Sequence, residues 1–202
     1  MTENGFEYVD LGLPSGTMWA TCNVGATKPE DQGLLFQFGT VDGYKYVYLK
    51  NQFRSKDKNK KDTGSEYIPL TTSGKIYKKN KILNLEDDAA RVNMGGAWRM
   101  PTKDELEELI NNTTYDTAKV NGIKGMMFTS KINNNQLFMP FAGWWYNGAF
   151  MWAGTSGIIW SSQVDAYNVN NAYRLGFNLG SQSSIYCDNR FCAFSVRGVF
   201  TK

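Results

Sequence analysis

The apolar residues of this 202-residue chain occur in short runs separated by turn-forming residues, and only two stretches have helical periodicity. The clearest strand covers residues 173–179, where the apolar side chains of Tyr173, Leu175 and Phe177 alternate with polar or small ones. A period of two is typical of a strand with one buried face. The length suits one well-buried domain and not two. We therefore predict a single α+β domain over residues 1–202, with two helices, short antiparallel sheets and long loops.

The two helices are predicted from their termini. The first covers residues 85–94, begins with acidic residues and ends at Gly95-Gly96, which suits the helix dipole and a C-terminal cap. The second begins after Thr102, where Glu105 three residues on completes a capping box, and an apolar stripe follows. Because acidic residues are favoured in the first turns of a helix, we interpret Glu105, Glu107 and Glu108 as a solvated face and not as an acid–base cluster.

Further strands are predicted from short apolar runs bounded by turn residues. Residues 44–83 are polar, Lys-rich and poorly periodic, and at roughly 40 residues they exceed an ordinary connection, so we interpret them as an insertion with some structure of its own. The further strands are at residues 8–11, 17–22, 34–38, 126–130, 137–140 and 158–160, with one last strand at residues 194–199.

The chain contains no histidine, which excludes catalytic triads with a histidine base, histidine-ligated zinc sites and histidine proton shuttles. Three cysteines alone do not complete a tetrahedral thiolate site, and Cys22 is far in sequence from Cys187 and Cys192. Neither a phosphate-binding loop nor a dinucleotide fingerprint is present. These observations favour a binding module over an enzyme, with no cofactor and no metal.

The charge pattern bears on partners. The net charge is +3, and the basic excess lies mainly in residues 54–61 among acidic and amide side chains, which is typical of a solvated loop and not of a nucleic-acid surface. No apolar run approaches the roughly 18 residues that a membrane helix needs, so we expect no membrane insertion. The first residues have neither a basic start nor an apolar run, so we expect no signal peptide in this chain.

Several segments in the same order resemble the Fibrobacter succinogenes major paralogous domain family, which is abundant in Bacteroidetes bacteria and their phages. They are residues 9–16 (VDLGLPSG), 19–26 (WATCNVGA), 86–90 (EDDAA), 95–102 (GGAWRMPT), 160–162 (WSS) and 194–197 (FSVR). The resemblance covers nearly the whole chain except residues 44–83. It implies a C-type-lectin-like fold, and it implies that the chain is a variable protein of a diversity-generating retroelement, in which adenine-directed mutagenesis rewrites a C-terminal segment.

The composition of residues 164–194 agrees with such a segment. If the adenines of Asn codons ending in C or T are randomised, the products exclude Lys, Glu, Gln, Met and Trp. These types make up 44 of the 202 residues, which predicts about seven in this window. The window contains one, Gln182. The alternative is that strand and turn segments are poor in Lys, Glu and Met for structural reasons.

A surface of Tyr, Ser, Asn, Asp and Arg on a rigid scaffold resembles an antibody paratope, because tyrosine gives stiff contact area and small polar groups give adaptable hydrogen bonds. By residue type, the candidates for binding hot spots are Tyr167, Tyr186, Arg190 and Phe191. Among them we expect Tyr186 and Arg190 to be exposed anchors, and we expect Trp98, Trp160 and Phe194 to lie in the core. For the aromatic side chains of residues 144–152, a place in the core and a place at the border of the binding site are equally open. The thirteen predicted ligand-binding residues are Asp165, Tyr167, Asn168, Asn170, Arg174, Gly176, Asn178, Ser183, Ser184, Tyr186, Asp188, Arg190 and Phe191.

We therefore expect a hypervariable adhesin or receptor-binding module for a protein or glycan ligand on a cell surface, placed on a phage tail or a bacterial cell surface. The oligomeric state is left open. One alternative is a fixed-specificity surface or virion structural module. Another is an enzyme of the formylglycine-generating type, which uses paired cysteines, but Cys187 and Cys192 do not stand where that family's catalytic pair does. We expect a disulfide or incidental thiols there.

Overall fold

The computed structural model of the protein describes residues 1–47, 52–55, 77–146, 149–180 and 183–202, and these residues form sixteen strands and two α-helices. The strands before the helices are β1 (Thr2–Glu3), β2 (Phe6–Asp10), β3 (Thr17–Asn23), β4 (Leu35–Gln37), β5 (Tyr44–Val47) and β6 (Gln52–Ser55). The helices are α1 (Ala89–Met94) and α2 (Lys103–Asn112). The remaining strands are β7 (Thr113–Val120), β8 (Ile123–Ser130), β9 (Gln136–Pro140), β10 (Trp144–Tyr146), β11 (Ala149–Met151), β12 (Ser156–Val164), β13 (Asn171–Asn178), β14 (Ser184–Asn189), β15 (Ala193–Ser195) and β16 (Arg197–Thr201).

The strands form three sheets. One has the order β1-β2-β3-β16, and a second is the meander β7-β8-β9. The largest has the order β14-β13-β12-β15-β4-β5-β6, and the hairpin β10–β11 joins it through β15. All pairings are antiparallel except that of β12 with β15. The described residues are mostly strand, with antiparallel sheets and two helices, which is compatible with the predicted α+β class.

Two large hydrophobic clusters occupy opposite faces of β12 and β13. On one face, Ile159, Leu175 and Phe177 pack with residues of α2 and of the β7–β9 sheet. On the other face, Trp160 packs with Phe194 at a ring-centroid distance of 4.2 Å, within a cluster that also contains Trp98. Trp98, Trp160 and Phe194 are all at most 1% exposed, which confirms their predicted place in the core.

The end of the chain is paired with its beginning. The predicted single last strand is instead two strands in different sheets, because β15 pairs with β4 and β12 while β16 pairs with β3. The fully buried Arg197, the first residue of β16, donates hydrogen bonds to the carbonyl oxygens of Ala20 in β3 (3.1 Å) and Phe138 in β9 (3.2 Å). Burial lowers the pKa of Arg197 to about 10, so the guanidinium stays charged at neutral pH.

The first predicted helix is interrupted. Its first residues form a 3-10 turn, Leu85–Asp87, and α1 starts only after Asp88, whose side chain caps it by accepting from the Arg91 backbone N–H at 2.9 Å. Asp88 also accepts from the Met100 N–H (2.8 Å), which holds it at the break. The predicted stop at Gly95 is confirmed, where a φ of 67° suits glycine.

The capping box of the second helix is confirmed, with Thr102 and Glu105 bonded reciprocally. The solvated-face interpretation was wrong for Glu105, which also forms a two-pronged ion pair with Arg99, at 2.5 and 2.7 Å, and has a side chain only 12% exposed. Burial favours the neutral carboxyl of Glu105, but the bonds from Arg99 and the Thr102 backbone outweigh burial and lower its pKa. Glu107 pairs with Lys103 and remains 42% exposed, so the interpretation is confirmed for it.

The predicted insertion at residues 44–83 is partly integrated into the domain. Its first strand, β5, pairs with β4 and with β6, and Tyr77 and Leu83 near its end belong to the core cluster of Trp160. Residues 48–51 and 56–76 of the insertion lie outside the described residues. Among the described residues, no helix has the length and apolar character needed to cross a membrane.

The Glu105–Arg99 pair yields a stability prediction. Glu105→Gln keeps a capping-box residue but removes the charge-assisted bonds, so the free energy of unfolding should fall by about 2 kcal/mol at neutral pH. Because folding lowers the pKa of Glu105, its contribution is present above the ordinary value of 4.5 and is lost as the pH falls through the folded-state value. The variant should therefore lose less stability on acidification than the wild type.

Denaturant unfolding followed by circular dichroism, at neutral and at acidic pH, measures both effects. Glu107→Gln on the same helix is the matched control and should change the free energy of unfolding by less than about 0.5 kcal/mol. Equal effects of the two substitutions would show that the pair with Arg99 adds nothing beyond a surface ion pair.

Candidate functional site

Strands β13 and β14 place alternate residues of the predicted variable segment on one face. The register pairs Arg174 with Tyr186 and Gly176 with Ser184, so these side chains project to the same side of the sheet. Leu175 and Phe177, between them, are buried in the opposite core as predicted. The alternation therefore separates a packed face from a face available to a ligand.

That face forms the floor of a groove with a volume of about 420 Å³. The hairpin β10–β11 contributes Trp144 and Tyr146 to its lining, and Phe194 and Cys192 contribute from the neighbourhood of β15. Ser156 of β12 and Asn189 of β14 also line it and were not predicted. Six of the thirteen predicted ligand-binding residues line the groove: Arg174, Gly176, Asn178, Ser184, Tyr186 and Asp188.

An ion pair lies across the groove floor. The Nε of Arg174 donates to Oδ2 of Asp188 at 2.6 Å, and its guanidinium carbon lies 5.1 Å from the centroid of the Tyr186 ring. The guanidinium also covers Gly176, where a Cβ atom would overlap Nη1 of Arg174. Arg174 thus has a fixed position with its charge balanced, while Tyr186 remains 59% exposed.

The aromatic residues that the sequence left open divide between core and rim. Trp145 is 3% exposed and packs in a small cluster with Leu35 and Ala193, so it belongs to the core. Tyr146 and Trp152 are 44% and 59% exposed and belong to the rim. Trp144 is half-buried and connects the rim with the core: its ring is stacked on that of Trp152 at a centroid distance of 6.4 Å and edge-on to that of Phe194 at 6.5 Å.

Four other predicted residues lie in the loop from β12 to β13, outside the groove. Asp165 was expected to face a ligand, but it is buried. Its Oδ1 accepts from the Tyr167 backbone N–H at 2.9 Å, so Asp165 holds the conformation of the loop. Asn168 accepts from the Asn170 N–H at 3.0 Å in the same way. Tyr167 is 84% exposed and is not among the residues that line the groove.

The prediction of Arg190 as an exposed anchor was wrong. Its guanidinium is buried over the rings of Tyr77 (4.6 Å) and Phe38 (5.7 Å), and its Nη1 donates to the Val169 carbonyl oxygen at 3.1 Å. Burial lowers its pKa. These partners are distant in the sequence, which is why residue type alone did not reveal the packing. Ser183 is likewise buried, and Phe191 is half-buried with its carbonyl oxygen bonded to Gln37.

The cysteines are free thiols, so the disulfide that was one expectation for Cys187 and Cys192 is not formed. Burial, and then the charge of Asp165, raise the pKa of the Cys187 thiol to about 12. Burial, and then the charge of Asp188, do the same for Cys192, also to about 12. Both thiols are therefore protonated at neutral pH, a state unsuited to nucleophilic chemistry.

The described residues also form depressions away from the groove. One, of about 560 Å³, is lined by residues of the loops around Glu30, Gly122 and Ala153, and another, of about 330 Å³, lies near Cys22 and Met94. Neither draws a residue from the predicted variable segment. Within the described ranges, no three Cys, Asp or Glu side chains are grouped so that they could hold a metal ion.

Comparison of the chain with family models, with curated protein sequences and with solved structures found no match. The family resemblance therefore remains an expectation from the sequence, and the groove carries the functional argument.

Two substitutions in the predicted variable segment should distinguish a residue that is packed in the domain from one that is exposed to solvent. Arg190→Ala removes a buried guanidinium and its hydrogen bond, so we expect the free energy of unfolding to fall by about 2–4 kcal/mol. Tyr186→Ala removes an exposed ring and should cost less than about 1 kcal/mol. Denaturant unfolding of both variants measures this difference. A large loss for Tyr186→Ala, or none for Arg190→Ala, would contradict the placement of these residues.

The thiols provide a chemical test. In a Cys22→Ser background at about pH 8, Cys187 and Cys192 should react with iodoacetamide more than about tenfold more slowly in the folded protein than in denaturant, because folding suppresses the thiolate. Mass spectrometry of timed samples measures the rates. Labelling of either thiol as fast as in the unfolded chain would reveal an accessible thiolate and would reopen the enzyme alternative.

Proposed function

We propose that this protein is a ligand-binding module and not an enzyme, and that its binding surface is the groove over β13 and β14. The observation that carries the proposal is the alternation within one segment: Arg174, Gly176 and Asn178 line the groove, while Leu175 lies in the core. Phe177 also borders the groove, but it is 3% exposed and packs in the same core as Leu175. A binding surface can change its outward residues only if the residues between them hold the strand in place.

The segment is also well anchored at both ends. β12 precedes it in the middle of the largest sheet, and β15 and β16 follow it in two different sheets. The exposed lining combines tyrosine with Asn, Ser, Asp and Arg, the residue types that serve adaptable recognition on a rigid scaffold. Rigid anchoring lowers the entropy lost on binding and so favours affinity.

The finer proposal follows the sequence resemblance: a C-type-lectin-like scaffold whose residues 164–194 are rewritten by a diversity-generating retroelement. The near absence of Lys, Glu, Gln, Met and Trp from this segment supports it. In this proposal the ligand is a protein or glycan on a cell surface, and the module is carried by a phage virion or a bacterial surface. Neither nucleic acid nor membrane insertion is part of the proposed role.

Sequencing codons 140–202 across a natural population of the source tests the proposal. We expect substitutions at residues 174, 176, 178, 184, 186 and 188, in codons that trace to adenine. The interleaved codons for Leu175 and Phe177 are the internal control and should not vary, because both side chains fill the core. Even or mostly silent variation across codons 140–202 would contradict diversification by a retroelement and would leave a module of fixed specificity.

A further inference from the structure

Resting on the proposed binding function, we propose that the groove binds an uncharged carbohydrate directly, without a metal ion. The lining carries this inference through three properties: its charge balance, its aromatic surfaces and its polar groups. Each property disfavours or favours a class of ligand.

The charge balance of the groove lining disfavours strongly charged ligands. Arg174 and Asp188 are the charged residues of the groove lining, and they are bonded to each other at 2.6 Å. A phosphate or sulfate group is held best by a guanidinium that is not paired with a carboxylate, and a cationic ligand by a carboxylate that is not paired with a cation. Here the two charges pair with each other through Nε of Arg174 and Oδ2 of Asp188, so the lining has no net charge with which to attract an ion.

The aromatic surfaces favour a ligand with a flat apolar face. Tyr146 and Tyr186 both line the groove and are both more than 40% exposed. Trp144 is held between the core ring of Phe194 and the exposed ring of Trp152. The C–H face of a sugar ring packs on such rings, and rings that are already fixed lose little freedom on binding.

The backbone conformation of Trp152 indicates that the stacking of Trp152 on Trp144 is maintained at a cost in conformational energy. Trp152 has a φ of 63°, in the left-handed region that bulky residues rarely adopt, and its carbonyl oxygen accepts from the N–H groups of Thr155 and Ser156. A conformation of this kind persists only where the surroundings impose it, and it is typical of ligand-binding sites. Its effect here is to place an exposed indole against Trp144.

The polar groups match hydroxyls. Ser156, Asn178 and Ser184 line the groove together, and their hydroxyl and amide groups each supply both donors and acceptors. A sugar hydroxyl also donates and accepts at once, so it pairs with either kind of group. The volume of about 420 Å³ is in the range of small-ligand sites, whereas a typical protein partner needs about 800 Å² of surface on each side. The lining therefore favours a glycan over a protein.

The experiment uses the full chain, displayed multivalently on beads, on an array of neutral, sialylated and sulfated glycans. We expect binding to neutral glycans that survives both EDTA and about 0.5 M NaCl, a salt concentration that screens exposed charges. Tyr146→Ala and Tyr186→Ala should each weaken binding of the best glycan by about tenfold or more. Tyr167→Ala removes an even more exposed tyrosine, which belongs to the predicted variable segment but does not line the groove, and it should leave binding unchanged.

Four outcomes would overturn the inference. They are no glycan bound by the wild type, preference for anionic glycans with salt-sensitive binding, loss of binding in EDTA, and neutral binding that neither groove variant weakens. Thermal unfolding of each variant shows that a loss of binding is not a loss of fold, and Asn178→Ala provides a second, polar substitution at the groove. The population sequencing described above tests the diversified surface without any ligand, so the glycan class can fail while the binding module stands.

Discussion

The pairing of β16 with β3 holds the rest of the structure in place. It joins the last strand of the chain to one of the first, and Arg197 extends the junction by donating to carbonyl oxygens of β3 and β9. A buried guanidinium is expensive to desolvate, and its hydrogen bonds to backbone oxygens of two sheets offset part of that cost. Two sheets are thereby joined through one side chain near the C-terminus.

With that junction fixed, the segment before it is constrained at both ends. β12 lies between β13 and β15, and its two faces contribute to both large cores. Outward positions of β13 and β14 are then the least constrained part of the segment, because their side chains meet the groove and not a core. The same packing that makes the scaffold rigid leaves the side chains of the groove face free to differ.

The sequence predicted correctly those features of the fold that depend on interactions between neighbouring residues. The capping box at Thr102 and the alternation of β13 both follow from neighbouring residues, and both are confirmed. Strand β7 was missed because its side chains are mostly polar, although Asn121-Gly122, with φ angles of 48° and 84°, is a strong hairpin signal that follows it. Six of the predicted binding residues meet in the groove, whereas Arg190 does not, because its packing on Tyr77 and Phe38 depends on contacts across the chain.

The position of Arg174 over Gly176 has an evolutionary consequence. Because the guanidinium occupies the space that a side chain at residue 176 would need, any larger residue there must move Arg174 away from Asp188 and Tyr186. The effects of changes at these four positions are therefore epistatic and cannot be summed from single variants. The repertoire of groove shapes is smaller than the number of residue combinations, and a single change at residue 176 alters the whole ion-pair cluster at once.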